Sequence, residues 1–245
     1  MAYISVEQQG LTTLITITRP ERRNAICKQT ALDMQEAFAQ FNDSDQRVAV
    51  ITGAGDDAFS SGADVADIPE VWRCIPGVGI KTDKPVIAAT AGWVVGGALV
   101  LATHCDLIVS ADNAKFSYPE GRLGLTGGMI AGLAGRIPHK AAMDIMLLGR
   151  AMTAQRAYDV GMVNDVVPVG RQVEIAMAHA EQLCEFAPMV LHTLKRFVND
   201  HILIKGPSEI AAETMRQTNE TRNSHDRNEG VAAFREKRKP NFVGR

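Results

Sequence analysis

The chain has 245 residues, of which 46% are hydrophobic and 22% are charged, and its formal net charge is -2. A chain of this size can bury one large core, and its near-neutral charge gives no electrostatic reason to expect a nucleic-acid or membrane-surface partner. We find neither a signal-peptide pattern nor a run of about 20 apolar residues, so we expect a cytoplasmic protein. The 4 cysteines lack Cys-x-x-Cys spacing, which argues against a disulfide framework or a zinc site.

Strand and helix patterns alternate through most of the chain. A β-rich run at 11–18 ends before Pro20, and apolar residues at three- and four-residue spacing predict a helix over 28–41. Further elements are predicted as strands at 48–52, 86–91, 107–110 and 163–167 and as helices at 96–103, 173–186, 188–200 and 208–222. Strands separated by helices indicate an α/β core, which is followed by a helical tail.

Two glycine-containing segments are candidates for binding a negatively charged oxygen. Residues 59–64 form a tight turn before a predicted helix, and Gly96-Gly97 opens another helix. Helix starts carry unpaired N–H groups and partial positive charge, although sharp turns and close packing would also explain such glycines. Glu120 follows in the segment 117–120. A carboxylate with two amide donors suits removal of a proton next to a carbonyl, while the enolate oxygen is stabilised.

The ordered set of motifs resembles the crotonase superfamily, also called the enoyl-CoA hydratase/isomerase family. The matching segments are 19–25, 59–64, 84–88, 92–97, 105–108, 119–120, 161–164 and 236–240. The resemblance implies an α/β fold with a spiral core of repeated ββα units over 1–185. It also implies a C-terminal helical trimerisation region over 186–245 and a homotrimer or hexamer. The expected partner is an acyl-CoA thioester substrate, with no metal or other cofactor.

The resemblance also assigns site residues by position. Ser61 and Gly97 would supply the two N–H groups of an oxyanion hole, and Glu120 would be the catalytic acid/base. Arg23 matches a position near the CoA phosphates, and Ala63, Asp64 and Val65 match the turn beside the adenine. The other residues expected to contact the substrate or CoA are Trp93, Gly96, Pro119 and Gly128.

Three departures from the family pattern concern the acyl pocket. Val100 stands where two-acid hydratases of the family have their first catalytic glutamate. The segment 67–84 is short for the family, and the loop 124–128 lacks a proline that is common there. We therefore expect an unusual acyl pocket and an altered lid over the substrate, and the sequence leaves the acyl-chain preference open.

The single carboxylate favours isomerisation of 3-enoyl-CoA to 2-enoyl-CoA, because one group can remove a proton from C2 and return it at C4. Hydration must also activate a water molecule, and Val100 cannot contribute to this step. If Val94, Val95, Val100 and Met129 surround Glu120, burial raises the pKa of its carboxyl group and improves the proton shuttle.

Alternatives to an isomerase stay open at this point. One is a hydratase in which Tyr118, Thr126 or an ordered water replaces the lost glutamate. Asp67 and Glu70 are possible second acids, but the sequence favours solvated helix positions for both. Carbon–carbon bond formation or cleavage of a thioester or β-diketone are further options. A scaffold without catalysis could bind acyl-CoA, or RNA through the basic run 235–239.

Overall fold

The computed structural model describes residues 3–245, which form two β-sheets. The strands are β1 (Ile4–Gln9), β2 (Thr12–Ile17), β3 (Val48–Gly53), β4 (Ala58–Ser60), β5 (Val86–Thr90), β6 (Trp93–Val95), β7 (Leu107–Ala111), β8 (Lys115–Ser117), β9 (Met152–Thr153) and β10 (Asp165–Val167). The larger sheet has the order β1-β2-β3-β5-β7-β10, and the smaller sheet has the order β4-β6-β8-β9. Neighbouring strands are parallel except in the pairs β1–β2 and β8–β9. The predicted α/β fold is confirmed.

Helices connect many of the strands and form most of the chain after β10. They are α1 (Lys28–Asp43), α2 (Gly97–Thr103), α3 (Glu120–Leu123), α4 (His139–Leu148), α5 (Ala154–Asp159), α6 (Gln172–Cys184), α7 (Pro188–Phe197), α8 (Pro207–Arg222) and α9 (His225–Glu236). Short 3-10 helices span Pro20–Arg22, Val71–Cys74 and Met129–Gly135, and a π-helical turn spans Val198–Ile202. The sequence did not predict β1, because this edge strand is largely exposed and polar and has no hydrophobic run.

The central strands of the larger sheet are covered on both faces. β3 and β5 are buried along their whole length, as expected for parallel strands between two helical layers. Ile51 of β3 lies in the same buried cluster as Phe38 of α1, whereas the preceding residue, Val50, lies in a cluster with Ala176 of α6. Successive side chains of a strand point to opposite faces of the sheet, so the larger sheet packs against one hydrophobic core on each face.

The smaller sheet brings distant chain segments to one edge. Its parallel strands β4, β6 and β8 end at Ser60, Val95 and Ser117. Because the carboxyl ends of parallel strands meet at the same edge, the residues after each strand converge there. These residues are 61–63 after β4, 96–97 after β6 and 119–120 after β8. The Gly96 N–H donates to the Ser117 carbonyl at 2.9 Å and ties the last two segments together.

The tail after α6 exposes large apolar side chains. Met189, Ile204 and Phe234 are 81%, 83% and 86% exposed. The boundary predicted at 185/186 directly follows the end of α6 at Cys184, while the role of the tail in trimerisation stays a prediction. Within residues 3–245, no helix is both long and apolar enough to cross a lipid bilayer.

A buried asparagine joins the loop before α1 to the smaller sheet. Asn24 is 1% exposed. Its Oδ1 accepts the Arg19 N–H at 3.1 Å, and its Nδ2 donates to the carbonyls of Ala54 at 3.0 Å and Ala58 at 2.7 Å. Since Ala58 begins β4, Asn24 fixes the loop against the strand that leads to residues 61–63.

Replacing Asn24 by Ala should lower the free energy of unfolding by about 2 to 4 kcal/mol, because several buried groups lose their hydrogen-bond partners. Urea unfolding followed by circular dichroism measures this change. Asn228→Ala is the control, since Asn228 is exposed on α9 and its replacement should cost less than about 0.5 kcal/mol. Equal losses in the two variants would contradict the anchoring role of Asn24.

Candidate active site

The carboxyl group of Glu120 lies against Gly96 at the shared edge of the smaller sheet. Glu120 is the first residue of α3 and directly follows Pro119, the N-cap. A Cβ atom on Gly96 would overlap Glu120 Oε1, so the carboxylate occupies the space that a side chain at 96 would need. Gly96 also has a φ of +58°, which glycine adopts readily. The structure therefore brings Glu120 to the glycine pair that opens α2.

The environment of Glu120 favours its neutral form. Oε2 is buried and has no hydrogen-bond partner among residues 3–245. Burial raises the pKa of Glu120 from 4.5 to about 7, and a hydrogen bond from its own backbone amide acts in the opposite direction. This is the direction that the sequence led us to expect. Near neutral pH the group can both accept and donate a proton, which is what acid–base catalysis requires.

Two stretches of backbone meet beside this carboxylate. Gly97 is the first residue of α2, and the N–H at this position has no acceptor within the helix. A Cβ atom on Gly62 would lie 3.3 Å from the Gly97 nitrogen and 2.5 Å from the Val95 carbonyl oxygen. Gly62 also has a φ of +87°. Only a residue without a side chain allows the backbone to pass this close to the start of α2.

The structure corrects the assignment of Ser61 as an oxyanion donor. The Ser61 N–H donates to the Arg23 carbonyl at 2.9 Å. Its hydroxyl group faces the Arg22 carbonyl at 3.4 Å. The amide of Ser61 therefore fastens the chain to the loop before α1. It is not free to bind the oxygen of a substrate.

The neighbouring amide of Ala63 is free instead. The Gly62 carbonyl accepts the Ile26 N–H at 2.8 Å, and the Asp64 N–H donates to the Ile26 carbonyl at 2.8 Å. In this parallel bridge the N–H of the intervening residue, Ala63, is directed away from Ile26. It has no acceptor in the described chain, residues 3–245. Ala63 and Gly97 thus each offer a free amide at this edge of the smaller sheet.

The turn after Ala63 does not begin a helix, and the sequence prediction was wrong here. Residues 65–67 form a turn, and the next helical element is the 3-10 helix Val71–Cys74. Asp64 holds this turn, because its carboxylate lies 3.0 Å from Arg19 and accepts the Ala66 N–H at 3.1 Å. The hydrogen bond from Arg19 lowers the pKa of Asp64. The Asp64 carboxylate is therefore a structural anchor.

Three other residues predicted to contact CoA, Arg23, Val65 and Trp93, are exposed. Arg23 is exposed, and Val65 is 73% exposed. The Lys115 Nζ lies 5.4 Å from the centre of the Trp93 ring, a cation–π contact at the surface. Contacts of Arg23, Val65 and Trp93 with CoA stay predictions.

The loop after α3 is fastened by polar contacts. The Tyr118 hydroxyl lies 2.9 Å from Thr126 Oγ1, which also accepts the Gly128 N–H at 3.0 Å. Burial raises the pKa of Tyr118. A Cβ atom on Gly128 would overlap the Ser208 hydroxyl, so Gly128 packs closely on α8. The Tyr118 hydroxyl thus orders the loop next to Glu120, and a substrate contact of Gly128 stays a prediction.

The two candidate second acids, Asp67 and Glu70, form ion pairs, and position 100 carries no acid. Val100 is 3% exposed within the hydrophobic core. Asp67 lies 3.0 Å from Lys28, whose hydrogen bond lowers the pKa of Asp67, and Glu70 lies 2.6 Å from Arg73. Neither acid is on a helix, contrary to expectation, because the chain turns at 65–67 and has no regular secondary structure at 68–70. Both carboxylates are engaged with cations, whereas Glu120 lies at the glycine pair.

A cavity of about 510 Å³ lies elsewhere, between the end of α2 and helices α7 and α8. Its lining includes neither Glu120 nor the glycine pair. Glu209 is one of the residues that line this cavity. Burial opposes the ionisation of its carboxyl group, but contacts with His104, the Gly206 amide and Arg136 lower its pKa to about 2. These groups satisfy one another and fasten α8 to the core. We therefore place the chemistry at Glu120.

The chain is similar to known proteins along nearly its whole length. The sequence matches the family described as enoyl-CoA hydratase/isomerase over residues 7–73 and 79–245. It is 31% identical to (E)-benzylidenesuccinyl-CoA hydratase from Thauera aromatica, over 98% of this chain and 99% of that protein. It is 35% identical to carnitinyl-CoA dehydratase from Escherichia coli O157:H7, over 99% of this chain and 98% of that protein. The crystal structure of carnitinyl-CoA hydratase from Mycobacterium avium has a TM-score of 0.78 and 34% identity, with 100% of both chains covered.

Replacing Glu120 by Gln should stabilise the fold increasingly as the pH rises. The folded state raises the pKa of this carboxyl group from 4.5 to about 7, so ionisation disfavours folding across this range. The introduced amide cannot ionise, and the advantage of the variant should grow by about 1 to 2 kcal/mol between pH 5 and pH 8, after allowance for partial exposure. Urea unfolding at both pH values measures the difference. An advantage that is the same at both pH values would show that Glu120 has an ordinary pKa.

Proposed function

Because the chain belongs to the enoyl-CoA hydratase/isomerase family, whose members in this comparison are acyl-CoA enzymes, we propose that it converts 3-enoyl-CoA to 2-enoyl-CoA. Glu120 is the single acid/base in this proposal. The observation that carries it is a partly buried carboxyl group with a pKa of about 7 beside two free amides, with valine at position 100. This arrangement supports proton transfer through one group.

The proposed reaction moves one proton between two carbon atoms. The thioester oxygen accepts hydrogen bonds from the Ala63 and Gly97 N–H groups. The Glu120 carboxylate takes a proton from C2, and the electron pair of the broken C–H bond delocalises into the dienolate. The protonated Glu120 then gives the same proton to C4, so the double bond lies between C2 and C3. Each amide donor of this kind typically contributes about 3 to 4 kcal/mol to stabilising the oxyanion.

The composition of the site supports isomerisation over hydration. A water molecule that adds to C3 needs a group to orient it and to accept its proton. Val100 is apolar, and the Asp67 and Glu70 carboxylates are paired with Lys28 and Arg73. Isomerisation needs no water, so a single carboxyl group is sufficient.

Hydration, or the reverse dehydration, is the second candidate, and the names of the relatives favour it. The proteins from Thauera aromatica, Escherichia coli and Mycobacterium avium are named as hydratases or dehydratases. In this reaction Glu120 would donate a proton to C2. Tyr118 or Thr126 would orient the attacking water, since their hydroxyl groups lie 2.9 Å apart in the loop beside Glu120.

A nucleic-acid scaffold has less support. Arg238, in the basic run 235–239, contacts the carboxylates of Glu229 and Glu236. Its hydrogen bond lowers the pKa of Glu229 to about 2. These acids offset part of the positive charge that an RNA backbone would need.

Glu120→Gln should reduce turnover of 3-enoyl-CoA by about 100-fold to 10000-fold, because the amide cannot shuttle a proton. Steady-state rates with paired 3-enoyl-CoA and 2-enoyl-CoA substrates measure the loss and identify the reaction. Gln155→Glu is a control, because position 155 is exposed on α5, and its rate should equal that of the wild type. An unimpaired Glu120→Gln enzyme would remove Glu120 from the mechanism. Formation of 3-hydroxyacyl-CoA alone would favour hydration.

The pH dependence of kcat/KM distinguishes the two candidate roles of Glu120, as a base for isomerisation or as a proton donor for hydration. As a base for isomerisation, Glu120 must start ionised, so kcat/KM should fall below an inflection near pH 7, set by its pKa of about 7. As a proton donor for hydration, it must start protonated, and kcat/KM should fall above the same inflection. Rates across pH 5 to pH 9 measure the direction of the change. A flat profile through pH 7 would contradict both assignments.

A further inference from the structure

A valine outside the family motifs packs against Gly97, the residue that carries one of the two amide donors. Val71 begins the 3-10 helix Val71–Cys74 and is half-buried. A Cβ atom on Gly97 would lie 2.9 Å from Val71 Cγ1 and 3.2 Å from its Cγ2. A Cβ atom on the preceding residue, Gly96, would likewise overlap Glu120 Oε1. The side chains of Val71 and Glu120 thus cover adjacent glycines at the start of α2.

The segment that carries Val71 is held firmly. Ile75 and Val78 are buried in the core, at 0% and 4% exposure. Gln35 of α1 donates to the Gly79 carbonyl at 3.3 Å, and Arg216 of α8 donates to the Val78 carbonyl at 3.1 Å. Contacts from two helices and the core fix this segment. Val71 is therefore a fixed part of the wall beside Gly97.

The same segment is where the chain departs from its family. The family match is interrupted after residue 73 and resumes at residue 79. The alignments with the Thauera and Escherichia coli relatives span 259 positions, although this chain has 245 residues. The relatives therefore contain residues that this chain lacks. Residues 74–78 thus lie outside the family match and follow Val71 closely along the chain.

We propose that Val71 limits the size of the acyl group and restricts the enzyme to short, unbranched acyl-CoA thioesters. This inference rests on the proposed function, which places the thioester oxygen at Gly97 and C2 towards Glu120. The acyl carbons then continue beside the Val71 methyl groups. Apolar atoms need about 4 Å between their centres, and Val71 already contacts Gly97. A longer or branched chain would have to displace a side chain on a segment that cannot easily move.

Binding of saturated acyl-CoA thioesters tests this inference without turnover. Isothermal titration would compare butanoyl-CoA with decanoyl-CoA for the wild type, Val71→Ala and Val71→Leu. We expect the wild type to prefer butanoyl-CoA at least about tenfold, and Val71→Ala to reduce this preference about tenfold by binding decanoyl-CoA more tightly. Val71→Leu should weaken butanoyl-CoA binding. Val6→Ala, at an exposed valine of β1, should leave both affinities unchanged.

The outcomes separate this inference from the proposed reaction. Equal affinity of the wild type for both ligands, or an unchanged preference in a folded Val71→Ala protein, would overturn the role of Val71. Lack of binding to any acyl-CoA would overturn it as well. If the preference shifts as expected but neither 2-butenoyl-CoA nor 3-butenoyl-CoA is converted, the acyl-size limit is supported and the proposed reaction fails. Thermal unfolding establishes that each variant is folded.

Discussion

The contact between the Glu120 carboxyl group and Gly96 is the constraint on which the site depends. The carboxyl group fits only because residue 96 has no side chain, and it is half-buried there with Oε2 unpartnered within residues 3–245. Burial without a hydrogen-bond partner disfavours the charged form, and this raises the pKa to about 7. The same feature lowers the stability of the fold when the group ionises. Reduced stability at a functional group is a common compromise in enzymes.

The smaller sheet and the loop before α1 create this contact from distant parts of the sequence. Parallel strands β4, β6 and β8 deliver the segments 61–63, 96–97 and 119–120 to one edge. Buried polar groups then set the position of the first segment. Asn24 fixes the start of β4, and the Ile26 bridge orients the backbone on both sides of Ala63. The free amide at 63 therefore results from tertiary contacts as much as from local sequence.

The sequence could predict the features that come from local patterns and could not predict those that come from tertiary contacts. Helix α1 and strand β3 have clear periodic or continuous apolar patterns, and Glu120 and Gly97 lie in motifs with a distinct order. The sequence could not distinguish Ser61 from Ala63, because the direction of each N–H depends on the partners Arg23 and Ile26. The edge strand β1 has a polar, exposed pattern and was missed for that reason. Val71 begins a 3-10 helix of a single turn, which is too short for an apolar periodicity to indicate its contact with Gly97.

A crystal structure of the Glu120→Gln variant with bound 3-butenoyl-CoA tests the central claim most directly. The account predicts that the thioester oxygen lies about 3 Å from the nitrogens of Ala63 and Gly97, with C2 facing the side chain at 120. Binding of that oxygen by other donors, or a C2 atom turned away from residue 120, would contradict the account.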